Sequence, residues 1–206
     1  METVHLTEPV RLTGVGVHTG ADVFVSVMPW EEGIVFAPVG GEGVRASWRN
    51  VTATRLATVL EGQGFKVQTV EHLMSALSAL GLWQARVEIK GPELPILDGS
   101  AAPFLAALRP HVTPSGTIAP LRVLRPVSVR QKDAFATLIP HEGRRFDVGI
   151  DFADAAIGIQ RVVCDLTADT FAQEIAPART FGRLKDVKAM RRAGYGRGAS
   201  LDNAVA

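Results

Sequence analysis

The sequence predicts an α+β fold of two related small domains, each with a β-sheet packed on helices, with the second domain incomplete. Three observations predict it. Strand patterns fill the first part of the chain, helical patterns follow them, and strand patterns resume near residue 121 before helical patterns return. Strands and helices grouped in this way are typical of α+β proteins rather than of an alternating parallel sheet.

The composition is that of a globular protein with a packed core and no general affinity for polyanions. The 206 residues are 47% hydrophobic and carry a formal net charge of +1, so nucleic acid is not an expected partner. The single cysteine, Cys164, excludes an internal disulfide and suits a reducing compartment. We recognise no leader peptide and no transmembrane segment, and we expect a cytoplasmic protein.

Short strands and turns are predicted before the first helix. A first strand begins at Val10, and the three glycines of residues 14–20 permit a tight hairpin or bulge after it. Alternating valines predict a second strand over residues 23–28. A further short strand is expected at residues 34–37, and residues 40–64 are expected to be irregular.

The first helix is predicted over residues 70–80. Three leucines recur at i, i+4 and i+7 on one face of this run. Thr69 is the expected N-cap, and Gly81 lies where a C-terminal cap is needed.

This helix starts with a carboxylate beside an imidazole, Glu71 and His72. A neutral histidine is a good zinc ligand, and a glutamate that does not bind the metal can take the proton of a metal-bound water, so the pair suits metal-assisted hydrolysis. An acidic first turn with a half-buried histidine explains the same residues without a metal. His18 and Asp22 also have a ligand spacing for a helix, but Gly20 between them argues against a helix, and we interpret this spacing as a coincidence.

A strand, a rigid loop and a second helix complete the first domain. Apolar and charged residues alternate over residues 85–90, which predicts a half-buried strand. The loop of residues 91–100 leads into a helix over residues 101–108, for which Asp98 or Ser100 is the expected cap.

A linker is predicted at residues 113–120, which contain two prolines and a Ser-Gly pair. We therefore divide the chain into residues 1–118 and 119–206. A short helix in the second domain is expected to be capped by Thr167 and to end near Ile175. Four strands are predicted before it, over residues 123–129, 134–139, 146–152 and 162–166.

The last predicted helix, residues 184–193, separates apolar residues from basic ones. Leu184, Val187 and Met190 lie on one side, and lysines and arginines lie on the other. Such a run is typical of a solvated helix face, and it also suits a phosphate-binding patch. No apolar helix follows to cover the second sheet, so we expect an exposed apolar face there.

Six short motifs occur in one order over nearly the whole chain. They are residues 13–20 (TGVGVHTG), 69–73 (TVEHL), 92–101 (PELPILDGSA), 150–152 (IDF), 178–182 (ARTFG) and 198–204 (GASLDNA). Together they make the sequence resemble the UDP-3-O-acyl-N-acetylglucosamine deacetylases, zinc hydrolases that catalyse the committed step of lipid A synthesis in Gram-negative bacteria. The resemblance favours the catalytic interpretation of the carboxylate–imidazole pair.

The resemblance implies a role for residues in three of these motifs. His72 would be a zinc ligand, and Glu71 would be the base that deprotonates the zinc-bound water as it attacks the N-acetyl carbonyl. The Thr180 hydroxyl would stabilise the oxyanion. Three further residues would bind the substrate, with Phe181 lining the site and the uridine received by Asp151 and Phe152. The apolar side of the last helix would line a passage for the acyl chain. Ordinary packing of this helix on the sheet explains the same residues.

The resemblance also implies residues that these 206 do not include. In the family a later segment supplies the remaining zinc ligands, a histidine and an aspartate one helical turn apart, together with a lysine and a histidine that acts as general acid. One histidine cannot hold a catalytic zinc, so we expect the chemistry to need residues beyond Ala206. Two other interpretations stay open: a non-catalytic relative that binds a UDP-sugar, and a subunit that self-associates or pairs with a partner covering the open second sheet.

Overall fold

A five-stranded sheet and two helices form the core of the first half of the chain. The structure, a computed structural model that describes residues 1–206, has the α+β architecture that the sequence predicts. The large sheet has the order β2-β3-β9-β4-β5, in which only β4 and β9 pair in parallel. A second sheet contains β6, β7 and β8, and β1 pairs with β10. The strands are β1 (Glu2–Leu6), β2 (Val10–Val15), β3 (Asp22–Pro29), β4 (Ile34–Pro38), β5 (Val44–Arg45), β6 (Val51–Ala53), β7 (Val59–Gly62), β8 (Phe65–Gln68), β9 (Ala85–Lys90) and β10 (Val112–Thr117).

The two helices of this half, α1 (Glu71–Leu80) and α2 (Ala102–Leu108), contribute fully buried side chains to one core. Period-two burial along β3 and β9 gives the sheet one apolar face, which is what the alternating valines predict. The core is one cluster of 25 buried residues, and all but two of them, Phe171 and Ala176, belong to the first 108 residues. The first half therefore contains the hydrophobic core of the described chain.

Three stretches of this half differ from the prediction, the first being residues 2–6, which form the unpredicted strand β1. The stretch expected to be irregular, residues 40–64, contains β5, β6 and β7, and β7 turns into β8 through Gln63 and Gly64, which both have positive φ. Most of the expected linker is strand β10, which pairs with β1. The linker prediction was wrong because the partner strand lies more than a hundred residues away, where no local pattern points to it.

The second half contains two separate hairpins instead of one continuous sheet. Strand β11 (Val127–Gln131) pairs with β12 (Ala134–Leu138), and β13 (Arg145–Asp151) pairs with β14 (Ile159–Asp165). All four predicted strands are present, with shifted ends. Large apolar side chains on them are exposed, as the sequence predicts, with Phe135 68% accessible. The domain boundary at residues 118 and 119 stays a prediction.

The last forty residues return to the first half. Helix α3 (Ala168–Thr170), capped by Thr167 as predicted, continues as a π-helical turn (Phe171–Ile175), and α4 (Leu184–Arg192) follows. Backbone hydrogen bonds then join the chain to two loops of the first half: Ala101 donates to Ala176, Thr180 donates to Gly99, and Gly198 donates to Val17. None of the helices has the length and hydropathy needed to cross a membrane.

Gly99 makes the closest of these approaches, and we expect it to tolerate no side chain. Its φ is +89°, and an added Cβ would collide with the backbone carbonyl of Asn203. The Gly99→Ala variant should lose about 2–3 kcal/mol of unfolding free energy, combining left-handed strain with overpacking. Chemical denaturation measures this loss. Gly143→Ala is the control, since Gly143 has a similar φ of +87° and no atom near its Cβ position, and an equal loss in both variants would contradict the steric explanation.

Candidate active site

Helix α1 carries Glu71 and His72 in its first turn, and the chain enters it through a strained residue. Thr69 has a φ of +63° and is almost fully buried, and the N-cap position is held by Val70 without a side-chain hydrogen bond. The prediction that Thr69 caps this helix was therefore wrong, because its hydroxyl donates to the Glu93 carboxylate. The predicted C-cap is confirmed, with Gly81 at a φ of 74°.

The carboxylate and the imidazole of the pair have different surroundings. The Glu71 Oε2 atom accepts a hydrogen bond from the Thr58 backbone amide at 3.1 Å, which fixes the carboxylate against the chain before β7. His72 is half-buried, and burial lowers its pKa from the usual value near 6.5, while the charges of Glu71 and Asp98 and the backbone at Ser100 oppose this effect. The imidazole is therefore kept neutral around pH 7, which is the form that ligates metals.

Acid is expected to destabilise the fold through His72. Because the pKa of His72 is lower in the folded chain than the unfolded value near 6.5, the unfolded chain binds the proton first as the pH falls. Stability is therefore full above about pH 6.5 and is lost as the pH falls through the folded pKa. A His72→Gln variant should show a flatter fall in Tm between about pH 7 and 5.

The control for this titration is His141→Gln, which replaces an exposed histidine. The Tm of this variant should follow the parent profile. An identical Tm profile for the parent and for His72→Gln would contradict the prediction.

A cavity of about 300 Å³ opens beside the pair. Helix α4 contributes Leu184, Val187 and Met190 to its wall, the three side chains that the sequence places on the apolar side of that helix. The wall is mostly apolar, and its polar side chains include those of Glu71 and His72. A reacting polar group at α1 and an alkyl group along α4 would therefore lie in one continuous space.

Thr180 lines the same cavity. Its amide donates to the Gly99 carbonyl at 2.8 Å, and its carbonyl accepts from the Val205 amide at 2.9 Å. Backbone bonds on both sides thus fix this residue against the loop before α2. Sequence reasoning alone had no signal for bringing Thr180 to Glu71, since more than a hundred residues separate them.

His18 is a cavity residue that sequence reasoning set aside. Its side chain is 5% exposed, its Nδ1 atom is buried without a hydrogen-bond partner, and its ring meets the Tyr195 ring edge-on at 5.2 Å. The prediction that no helix joins His18 and Asp22 is confirmed, because Asp22 starts β3. The motif at residues 13–20 was the available signal for His18.

Asp98 holds the loop that leads into α2. Its Oδ1 atom accepts from the Ser100 amide at 2.9 Å and from the Ser100 hydroxyl at 2.8 Å. The N-cap of α2 is Ala101, although the Ser100 hydroxyl accepts from the Ala102 amide as a capping group would. The carboxylate also lies close enough to His72 to favour its protonated form.

A second cavity, of about 600 Å³, adjoins the first and is more polar. The cations Arg179, Arg183 and Lys185 line it together with Phe181, which also lines the first cavity. Lys185 donates to Asp154 at 3.1 Å and lowers the pKa of that carboxyl. The two cavities therefore share an aromatic wall and differ in charge.

The residues expected to receive uridine lie close to this wall. The Phe152 and Phe181 rings meet edge to face, with centroids 5.6 Å apart. Asp151 is exposed at the end of β13 and lines neither cavity. The structure thus joins Phe152 to Phe181 by a ring contact, and it places both Phe152 and Asp151 outside the walls of the two cavities.

The described residues do not form a complete metal site. No three His, Cys, Asp or Glu side chains of the chain come close enough together to hold a metal ion. His72 is a suitable single ligand because it is neutral and faces the cavity, but a catalytic zinc takes three protein ligands.

A carboxylate–imidazole pair at the wall of a partly apolar cavity has the groups that a hydrolase needs. The sequence profile of the UDP-3-O-acyl N-acetylglycosamine deacetylase family matches residues 3–206. The chain belongs to this family. This result confirms the resemblance that the six motifs indicate.

Curated relatives carry the corresponding name. UDP-3-O-acyl-N-acetylglucosamine deacetylase of Syntrophotalea carbinolica is 39% identical over 207 residues, which cover 97% of this chain and 67% of the relative. The protein of that name from Brucella ovis is 40% identical over 203 residues, covering 95% of this chain and 71% of the relative. The likeness therefore extends through both halves of the chain.

Proposed function

We propose that this chain provides the catalytic carboxylate of a hydrolase that removes the N-acetyl group of UDP-3-O-acyl-N-acetylglucosamine in lipid A synthesis. The observation that carries the proposal is the shared cavity. Glu71, His72 and Thr180 line the same space as the apolar side of α4. The substrate class comes from the family and from the names of the curated relatives.

Zinc is the proposed cofactor, with His72 as one of its ligands. The neutral imidazole supports this role, and the chain's own residues do not complete the ligand set. In this proposal the chain's own side chains supply the base, one metal ligand and the donor to the oxyanion.

In this proposal, Glu71 accepts a proton from the attacking water as its oxygen bonds to the acetamide carbon. The Thr58 amide holds the carboxylate in place during this transfer. The carbonyl oxygen becomes an oxyanion, to which the Thr180 hydroxyl donates. Breakage of the C–N bond then releases acetate and the glucosamine amine, which takes up the proton that Glu71 had accepted.

The remainder of the substrate is assigned to the two cavities. We assign the 3-O-acyl chain to the wall formed by Leu184, Val187 and Met190. The UDP group is assigned to the neighbourhood of Phe181, with Phe152 and Asp151 as uridine contacts. The cations of the second cavity suit a diphosphate.

The direct test is acetate release from UDP-3-O-acyl-N-acetylglucosamine, with zinc present, by the purified chain alone and by the chain extended with the later family segment that carries the remaining zinc ligands. UDP-N-acetylglucosamine without the acyl chain is the control substrate, and we expect it to react more slowly because it leaves the apolar wall unused. No acetate from either compound would contradict catalysis by this chain. Binding of the acylated compound without acetate release would favour the non-catalytic relative, and a dimer in solution would favour the assembly subunit.

A further inference from the structure

Glu93 is a buried carboxylate to which the proposed mechanism gives no role. Its side chain is 0% exposed, on the loop between β9 and α2. All its hydrogen-bond partners are neutral: the His18 amide, the amide and hydroxyl of Thr19, and the Thr69 hydroxyl. A buried carboxylate is costly unless several donors satisfy it, so this position commits four donors to one side chain.

The first side of this cluster is the turn that carries His18. The Oε1 atom accepts from the His18 amide at 3.1 Å, from the Thr19 amide at 2.7 Å and from the Thr19 hydroxyl at 2.6 Å. A Cβ added to Gly16 would collide with this carboxylate. The turn is therefore wrapped closely around Glu93, and His18, whose ring lines the cavity, is held by its backbone.

The second side of the cluster is the entry to α1. The Oε2 atom accepts from the Thr69 hydroxyl at 3.1 Å. Thr69 has a φ of +63°, a conformation that is unfavourable for a β-branched residue and persists only where the surroundings impose it. Its amide also donates to the Thr58 carbonyl at 3.0 Å, and the Thr58 amide donates to the Glu71 carboxylate.

We propose that Glu93 is a positioning residue that holds Thr69 in its left-handed conformation and so fixes the direction in which α1 presents Glu71 and His72. The proposal rests on the proposed function for its catalytic consequence. A polar cluster of this kind specifies one local geometry. Its burial costs desolvation free energy that apolar side chains at the same positions would not cost. A shift of Glu71 by about 1 Å is enough to lower a rate on the order of 100-fold.

Amide hydrogen exchange at Thr58 measures this positioning directly, because the Thr58 amide donates to Glu71. Thr69→Val keeps the β-branched shape and removes the hydroxyl, whereas Thr69→Ser keeps the hydroxyl. We expect exchange at Thr58 to become about 10-fold faster in Thr69→Val and to stay near the parent rate in Thr69→Ser, since a lost hydrogen bond of this kind is worth a factor of about 10. Glu93→Ala should accelerate exchange at Thr58 further. If Glu93→Ala does not fold, the comparison of Thr69→Val with Thr69→Ser is sufficient as the test.

Amides of β9 serve as the internal control, since a general loss of stability would accelerate them equally. Unchanged exchange at Thr58 in Thr69→Val, or equal acceleration in β9, would overturn the proposal. Kinetics give a second readout: kcat for acetate release should fall about 10-fold in Thr69→Val, with KM within about 3-fold, and recover in Thr69→Ser. If the parent chain releases no acetate, the proposed function fails, while exchange at Thr58 still decides the role of Glu93.

Discussion

Replacing Glu71 by glutamine is expected to lower kcat for N-acetyl hydrolysis by about 1,000-fold, within the range that general bases contribute. The glutamine side chain has the same shape, and its carbonyl oxygen can still accept from the Thr58 amide. It cannot take up a proton from water. The loss should therefore appear in kcat with little change in KM or in Tm, measured by acetate release and by thermal unfolding.

Glu61→Gln is the matched control, because Glu61 is exposed on β7. Its carboxylate accepts a hydrogen bond from the Thr52 hydroxyl and pairs with Lys66, both on the surface. This variant should keep the parent kcat. Two results would contradict the assignment of Glu71 as the base. One is a Glu71→Gln variant with parent activity, and the other is a loss of activity that follows a large fall in Tm.

The sequence predicted the helices and strands that are determined by residues close together in the chain. Helix α1 has its leucine periodicity and a glycine with positive φ at its end, and β9 has its alternation of apolar and charged residues. The hairpins of the second half follow from alternating residues around turns. In each case the residues that determine the element lie within the element or beside it.

The sequence did not predict the features that depend on distant partners. Thr69 has the side chain of a good N-cap, but its hydroxyl bonds to Glu93, 24 residues further along, and the backbone takes a positive φ. Strand β10 forms because β1 is available to pair with it. The buried His18 ring meets Tyr195 across most of the chain length.

The candidate site also contains residues that a local motif predicted and a residue that only distant contacts bring in. The motif at residues 69–73 pointed to Glu71 and His72 on chemical grounds, since an acid beside an imidazole suits hydrolysis. The contribution of Thr180 came from family resemblance, and the structure brings it into the same cavity through its backbone bonds to Gly99 and Val205. Backbone hydrogen bonds between distant residues produce no periodic pattern in the sequence, so the position of Thr180 could not be predicted from such a pattern.

Replacing Thr180 by valine is the second variant with a large expected effect, a loss of about 100-fold to 1,000-fold in kcat. Valine matches threonine in shape, and the bonds that hold this residue come from its backbone, to Gly99 and Val205. The fold around it should therefore stay unchanged. Only the hydroxyl is lost, and removal of one donor to a developing oxyanion costs about 3–4 kcal/mol of transition-state stabilisation.

Thr180→Ser separates the hydroxyl from the packing of the side chain. Serine keeps the donor and loses a methyl group, so this variant should keep kcat within about 10-fold of the parent, because a small apolar loss costs on the order of 1 kcal/mol. Acetate release at saturating substrate measures both variants. If serine and valine lower kcat equally, the methyl group and its packing matter and the hydroxyl does not stabilise the oxyanion. A low valine rate that serine restores is the result that only a hydrogen-bond donor at this wall of the cavity explains.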